Sequence, residues 1–181
     1  MSGSATYTGS AVGATLPGTY TITPQAGTLN AANYDFPGPS PGTYFVNGTL
    51  TIGYGSCNGS DPGGVILPPI NTDGSSVYKR KAGSTIPVKF KVCDANGNSI
   101  SDPNVVFGSG SCGSVTLTSI RRGTVDNVNE NGTTDIPGVC FTYSGDHWQF
   151  NMATTNLNAG DTDTFHIILR YGYIEFTVGA K

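Results

Sequence analysis

Between Ser84 and Cys93 the chain places Ile86, Val88, Phe90 and Val92 at every second position, with Lys89 and Lys91 between them. Only an extended strand gathers such residues on one face, because its side chains alternate with a period of two. The same period recurs at 18–23, 43–46, 49–52, 115–120, 139–143, 147–152, 164–169 and 173–178, in runs bounded by turn residues. No apolar stripe of helical period extends beyond about two turns. The chain is therefore expected to be all-β, and about seven short strands in its later part favour a sandwich over a barrel.

Turn chemistry fills in the connections. Asn47-Gly48, set between 43–46 and 49–52, predicts a hairpin with a type I′ turn, for which both residues need positive φ. Asp94-Ala-Asn96-Gly97-Asn98 should turn the chain after the Lys89 strand. Pro87 belongs at a strand start or an edge, where its missing N–H does no harm. The polar segment 121–135 is expected to be a mobile loop. The Gly/Ser/Asn/Asp-rich stretch at 54–66 has no period and is expected to link a small β module at 1–53 to a larger one at 67–181.

Charge excludes several roles. Lys, Arg, Asp and Glu make up only 12% of the 181 residues, and the formal net charge is −3. A chain so sparsely charged has no basic footprint for nucleic acid or an anionic membrane surface. Gly (26) and Pro (11) together stay below the share that marks low-complexity disorder, so a folded, turn-rich chain is expected. No apolar run approaches the length of a membrane span. The first residues lack the basic and apolar regions of a secretory signal. Because Met1 leads straight into what reads as the middle of a module, the expectation is a fragment of a longer chain.

The four cysteines, Cys57, Cys93, Cys112 and Cys140, form no CxxC pair, which argues against a zinc ribbon or a thioredoxin motif. An even number in a Gly/Thr/Asn-rich chain suits an oxidising exterior. Three pairings are open, and four free thiols are the alternative; Cys112 with Cys140 is the pair expected. Parity fits this pair, since Val139, Phe141 and Tyr143 would share the core face and leave Cys140 on the other face or at the rim.

The segment Lys81-Ala-Gly-Ser-Thr-Ile-Pro-Val-Lys-Phe90, followed by Asp94-Ala-Asn-Gly97, resembles the signature of PxKF domains of bacterial secreted and surface proteins, with Pro87, Lys89 and Phe90 as its naming residues. Trp148-Gln-Phe-Asn151 and the closing Phe176-Thr-Val178 agree in order. The resemblance covers about 67–181. It implies an immunoglobulin-like antiparallel β-sandwich, one module of a longer exported chain, with no catalytic residues. Gly18-Thr-Tyr-Thr-Ile-Thr-Pro24, Asn30-Ala-Ala-Asn-Tyr34 and Val46-Asn-Gly-Thr-Leu-Thr-Ile52 are similar to the C-terminal half of an MBG-type adhesin repeat. The strands expected upstream are missing, which makes 1–53 a partial β module with unpaired edges.

Little in the sequence suggests chemistry. His147 and His166, the only histidines, lie in predicted strands, and neither GxSxG nor HExxH occurs. A paired-carboxylate site would need two acids in one cleft, and spacing in the sequence alone does not place Asp146, Asp161, Asp163 or Glu175 together. The 94–98 stretch offers alternating oxygen ligands to calcium, but position 105, where an EF-hand loop needs an acid, is Val105. A turn accounts for it better, and Asp161-Thr-Asp163 is read the same way. No enzyme, metal or cofactor is expected. Trp148 shares parity with Phe150 and Met152 and belongs to the core. Tyr171 and Tyr173 are the candidates for an exposed contact with a glycan or a host protein, against the plainer reading of surface filler. Lys89 could form an isopeptide bond with an Asn or Asp, but a solvated lysine blunting a strand edge is the simpler account. The expected role is structural: a spacer in an extracellular or cell-surface, adhesin-like protein, with neighbouring domains as partners.

Overall fold

A computed structural model describes residues 1–34, 45–122, 125–128 and 136–181. The chain divides into two compact units, Met1–Gly53 and Tyr54–Lys181. In the first, β1 (Thr6–Thr8), β2 (Gly18–Gln25) and β3 (Gly48–Ile52) form an antiparallel sheet in that order. Thr19 and Thr21 stand opposite Thr51 and Thr49 on one face, whereas Tyr20 stands opposite Leu50 on the other. None of the described large apolar side chains of this unit is buried, and Tyr7, Val12, Tyr34 and Val46 are exposed.

The hairpin expected at Asn47-Gly48 is not formed. Gly48 opens β3 opposite Ile22, and neither Asn47 nor Gly48 has positive φ. The long-range pairing of Tyr20 with Leu50 takes β3 to β2 instead. Residues 43 and 44 of the expected partner strand lie outside the described residues.

The second unit is an all-β sandwich. Its smaller sheet has the order β10-β11-β6-β4, from β4 (Val65–Leu67), β6 (Thr85–Lys91), β10 (Thr142–Ser144) and β11 (His147–Ala153). The larger runs β5-β13-β12-β7-β8, from β5 (Val77–Tyr78), β7 (Cys112–Arg122), β8 (Val125–Val128), β12 (Asp161–Leu169) and β13 (Gly172–Ala180). A further strand, β9 (Ile136–Cys140), pairs with β7. All described pairs are antiparallel except the short β5–β13 contact. A one-turn helix, α1 (Pro103–Val106), is capped by the Asp102 side chain. No helix among the described residues is long and apolar enough to cross a membrane.

Alternation explains the core. Ile86, Val88, Phe90 and Val92 are fully buried, as are their ladder partners Trp148, Phe150 and Met152 to within a few per cent. The facing sheet contributes Val115, Leu117, Phe165, Ile167, Ile174, Phe176 and Val178. At Phe141 the chain leaves β9 in one sheet for β10 in the other, so the ring sits between the sheets. It stacks on Phe107 at 4.6 Å and meets Phe90 and Phe150 edge-on at 5.5 and 5.4 Å. Trp148 is buried as expected, and its Nε1 donates to the Ile100 carbonyl at 2.8 Å.

Two expectations need correction. The 54–66 stretch is part of the second unit rather than a linker. The Tyr54 hydroxyl reaches the Val105 and Val106 carbonyls, Cys57 is bonded to Cys93, and β4 pairs with β6. One Tyr, one Cys and a Val-Ile-Leu run suffice to anchor a segment whose composition has no period. Likewise the start of the 121–135 segment is ordered: β7 continues to Arg122, and β8 pairs back on it from Ser119 to Arg122. Arg122 has a fixed partner across the ladder, with Nε 3.0 Å from both oxygens of Asp161. Residues 123, 124 and 129–135 lie outside the described residues.

Pro87 is the third residue of β6, opposite Asn151 of β11. On the other flank the ladder with β4 has ended at Lys89, paired with Leu67, so β6 is locally an edge at Pro87.

Candidate binding groove

The turn between β12 and β13 consists of Arg170 and Tyr171, followed by Gly172 at φ +130°, a conformation that favours glycine. It places Tyr171 at the sandwich end and Tyr173 on the outer face of β13, 44% and 58% exposed. Ile174, Phe176 and Val178 point inward, as parity requires. Tyr171 packs against Tyr54 at 6.0 Å and carries the Arg170 guanidinium over its ring at 5.2 Å. Tyr173 lies flat on His166 at 3.8 Å, and His166 Nε2 is 3.0 Å from Glu175.

Both tyrosines line one groove of about 560 Å³ between β13 and the 58–72 segment. Ile66, Ile174 and Phe176 contribute its apolar surface; Asn58, Asp61 and Asn71 contribute polar groups. Asp61 organises the outer wall. Its Oδ2 accepts from Ser56 Oγ and from the Cys57 and Asn58 amides at 2.7–2.8 Å, and its Oδ1 from the Gly63 amide at 3.2 Å. Partial desolvation pushes this carboxyl up, but the hydrogen bonds outweigh it and hold Asp61 below the usual carboxylate range. Tyr54 is moved the other way, with burial pushing its phenol up to about 12, so it stays a neutral donor. Gly64 lets the wall approach β13, since a Cβ there would lie 2.7 Å from Ile174 Cδ1.

The structure thus brings Tyr171 and Tyr173 together on one groove and adds Tyr54, Asn58 and Asp61, which the sequence reading had assigned to a linker. Cys57, a buried-type residue in a polar stretch, was the one sign that this segment packs. Both disulfides close: Cys112 pairs with Cys140 directly across the β7–β9 ladder, and Cys57 with Cys93 at the end of β6. Cys140 is exposed between buried Val139 and Phe141. Beside Cys93, Gly55 packs so tightly that a Cβ would meet the Asp94 carbonyl at 1.9 Å.

The remaining candidates lie apart from the groove. Asn96 and Gly97 form the expected turn, with Gly97 at φ +82° and Asp94 Oδ1 accepting the Asn96 and Asn98 amides at 2.9 Å. Lys89 stands between Leu67 and Gln149, with no described acid or amide side chain at hydrogen-bonding distance. Its neighbour Lys91 pairs with Asp146, which is held below the usual range by Lys91 and then by His147. Asp161 and Asp163 are not turn residues: both belong to β12 and are buried. Asp163 Oδ1 has no hydrogen-bond partner, and burial, reinforced by the Asp161 charge and opposed by Arg122, pushes this carboxyl up to about 6.

No family profile, curated protein or solved structure matches this chain.

Proposed function

We propose that the chain is a non-catalytic structural module of an extracellular or cell-surface, adhesin-like protein, spacing or presenting the domains that neighbour it. The observation that carries this reading is the closure of both cysteine pairs within one β-sandwich, a cross-linking that persists in oxidising compartments. The PxKF-like stretch adds support, since Pro87, Lys89 and Phe90 fall on the central strand β6. The MBG-like stretch supplies β2 and β3. Pulling single chains by their termini tests the role. The oxidised 54–181 unit should give way in one abrupt step. Reduction should lengthen the unfolded chain by roughly 3.5 Å for each residue the disulfide loops had enclosed. Gradual yielding of the oxidised unit at low force would overturn the reading.

A second reading rests on the groove: Tyr171 and Tyr173 are exposed and line it together, as in a carbohydrate- or host-protein-binding module. A ligand of the native state raises its melting temperature. The double substitution Tyr171→Ala with Tyr173→Ala should abolish any such shift in a glycan and peptide screen; an unchanged shift sinks this reading.

A further inference from the structure

Main-chain direction along β13 can be read from its partners. The Gly179 and Lys181 amides donate to the Ser76 and Tyr78 carbonyls at 2.8 and 2.9 Å, on the side away from β12. The Ala180 carbonyl turns the other way and accepts the Gly160 amide at 2.9 Å. Because N–H and C=O of one residue point to the same side and alternate along a strand, Tyr173, Glu175 and Thr177 aim theirs away from β12. No described strand stands opposite them, since β5 pairs only with Gly179 and Ala180. The groove runs along this open stretch, with Ile66, Ile174 and Phe176 as its apolar surface.

We propose that this edge of β13 accepts a short extended segment of another polypeptide, which adds a strand in line with β5 and lies in the groove. The inference rests on the second reading of the groove and names its occupant. The open groups repeat every second residue, about 6.8 Å apart, a spacing that an extended backbone reproduces and a sugar chain does not. The chain's own β5 shows that this edge takes a strand: it begins the ladder at Gly179 and leaves it unfinished at Thr177. The ionised Asp61 on one wall and the exposed Glu175 on the other favour a segment of about five residues carrying Lys or Arg.

The test uses the full chain. In the free protein, the amides of Tyr173, Glu175 and Thr177 should exchange with solvent much faster than those of Ile174, Phe176 and Val178. Equal protection of the two sets overturns the proposal. Peptides enriched on the chain from a displayed seven-residue library, resynthesised, should protect the three open amides. They should lose binding when N-methylated at alternate residues. Glu175→Pro removes an amide that faces the open side and leaves the β12 ladder its donors, so binding should weaken at least about tenfold. Glu175→Gln, which keeps the edge, should bind within a few fold. Undiminished binding by Glu175→Pro or by N-methylated peptides overturns strand addition. Cellohexaose provides the other arm: if it binds through Tyr171 and Tyr173 and is indifferent to Glu175→Pro, the groove is a sugar site and only strand addition fails. If neither peptide nor sugar binds, both readings of the groove fail. Should Glu175→Pro not fold, judged by the β12 amide spectrum, the N-methylated peptides still decide.

Discussion

Asp163 is the residue at which the core carries an electrostatic load. Its carboxyl is buried, with Oδ1 unpaired and the Asp161 charge nearby, and is pushed up to about 6. A raised carboxylate stabilises the fold fully below its unfolded value near 3.9, and that contribution is lost as pH rises through about 6. The cost at pH 7 is at most about 3 kcal/mol. Asp163→Asn should therefore be more stable than the parent at pH 7 and equal to it near pH 4, as urea titrations at the two pH values would show. Trp148 poses the opposite case. Its Nε1 donor serves the buried Ile100 carbonyl, so Trp148→Phe should cost about 1–3 kcal/mol from the unpaired carbonyl, beyond the loss of ring area. Both placements could be read in part beforehand. Parity put Trp148 with Phe150 and Met152, but its bond to Ile100 depends on the chain returning after the 94–98 turn. Asp163 shares parity with Phe165 and Ile167, a sign outweighed by the Gly160 turn before it.

At the scale of elements, alternation was legible wherever one face of a strand meets the core. β6, β11, β12 and β13 were each located to within a few residues on that basis. β4 and β8 were missed because they are only three and four residues long, and β4 takes its place through β6, a partner distant in sequence. Gly64 shows how close β4 comes to β13: Gly64→Ala would drive a methyl into Ile174, and should cost about 1–3 kcal/mol of overpacking in a melting experiment. The first unit presents a contrast, since β1, β2 and β3 bury none of their described large apolar side chains. Amides in these strands should exchange faster than those of β6 and β11 in one native-state hydrogen-exchange experiment, because opening them exposes little new apolar surface.

At the scale of the molecule, the cross-links belong to one unit. Cys57–Cys93 and Cys112–Cys140 enclose separations of 36 and 28 residues, both within Tyr54–Lys181. Loop-closure entropy gives each about 3.5–4 kcal/mol of stabilisation. Calorimetry with and without reductant should show a large fall in the transition of this unit, while that of Met1–Gly53 stays in place. A common shift of both would mean that the two units unfold as one. The β class, the core faces and the outward turn of Tyr171 and Tyr173 follow from the order of residues alone, because a period of two is a local property of an extended chain. The membership of 54–66 in the sandwich, the Cys57–Cys93 bond, the groove wall at Asp61 and the unfinished edge of β13 do not. They depend on which strands meet across dozens of residues, and long-range pairing is selected by the burial of whole faces rather than by any neighbouring residue.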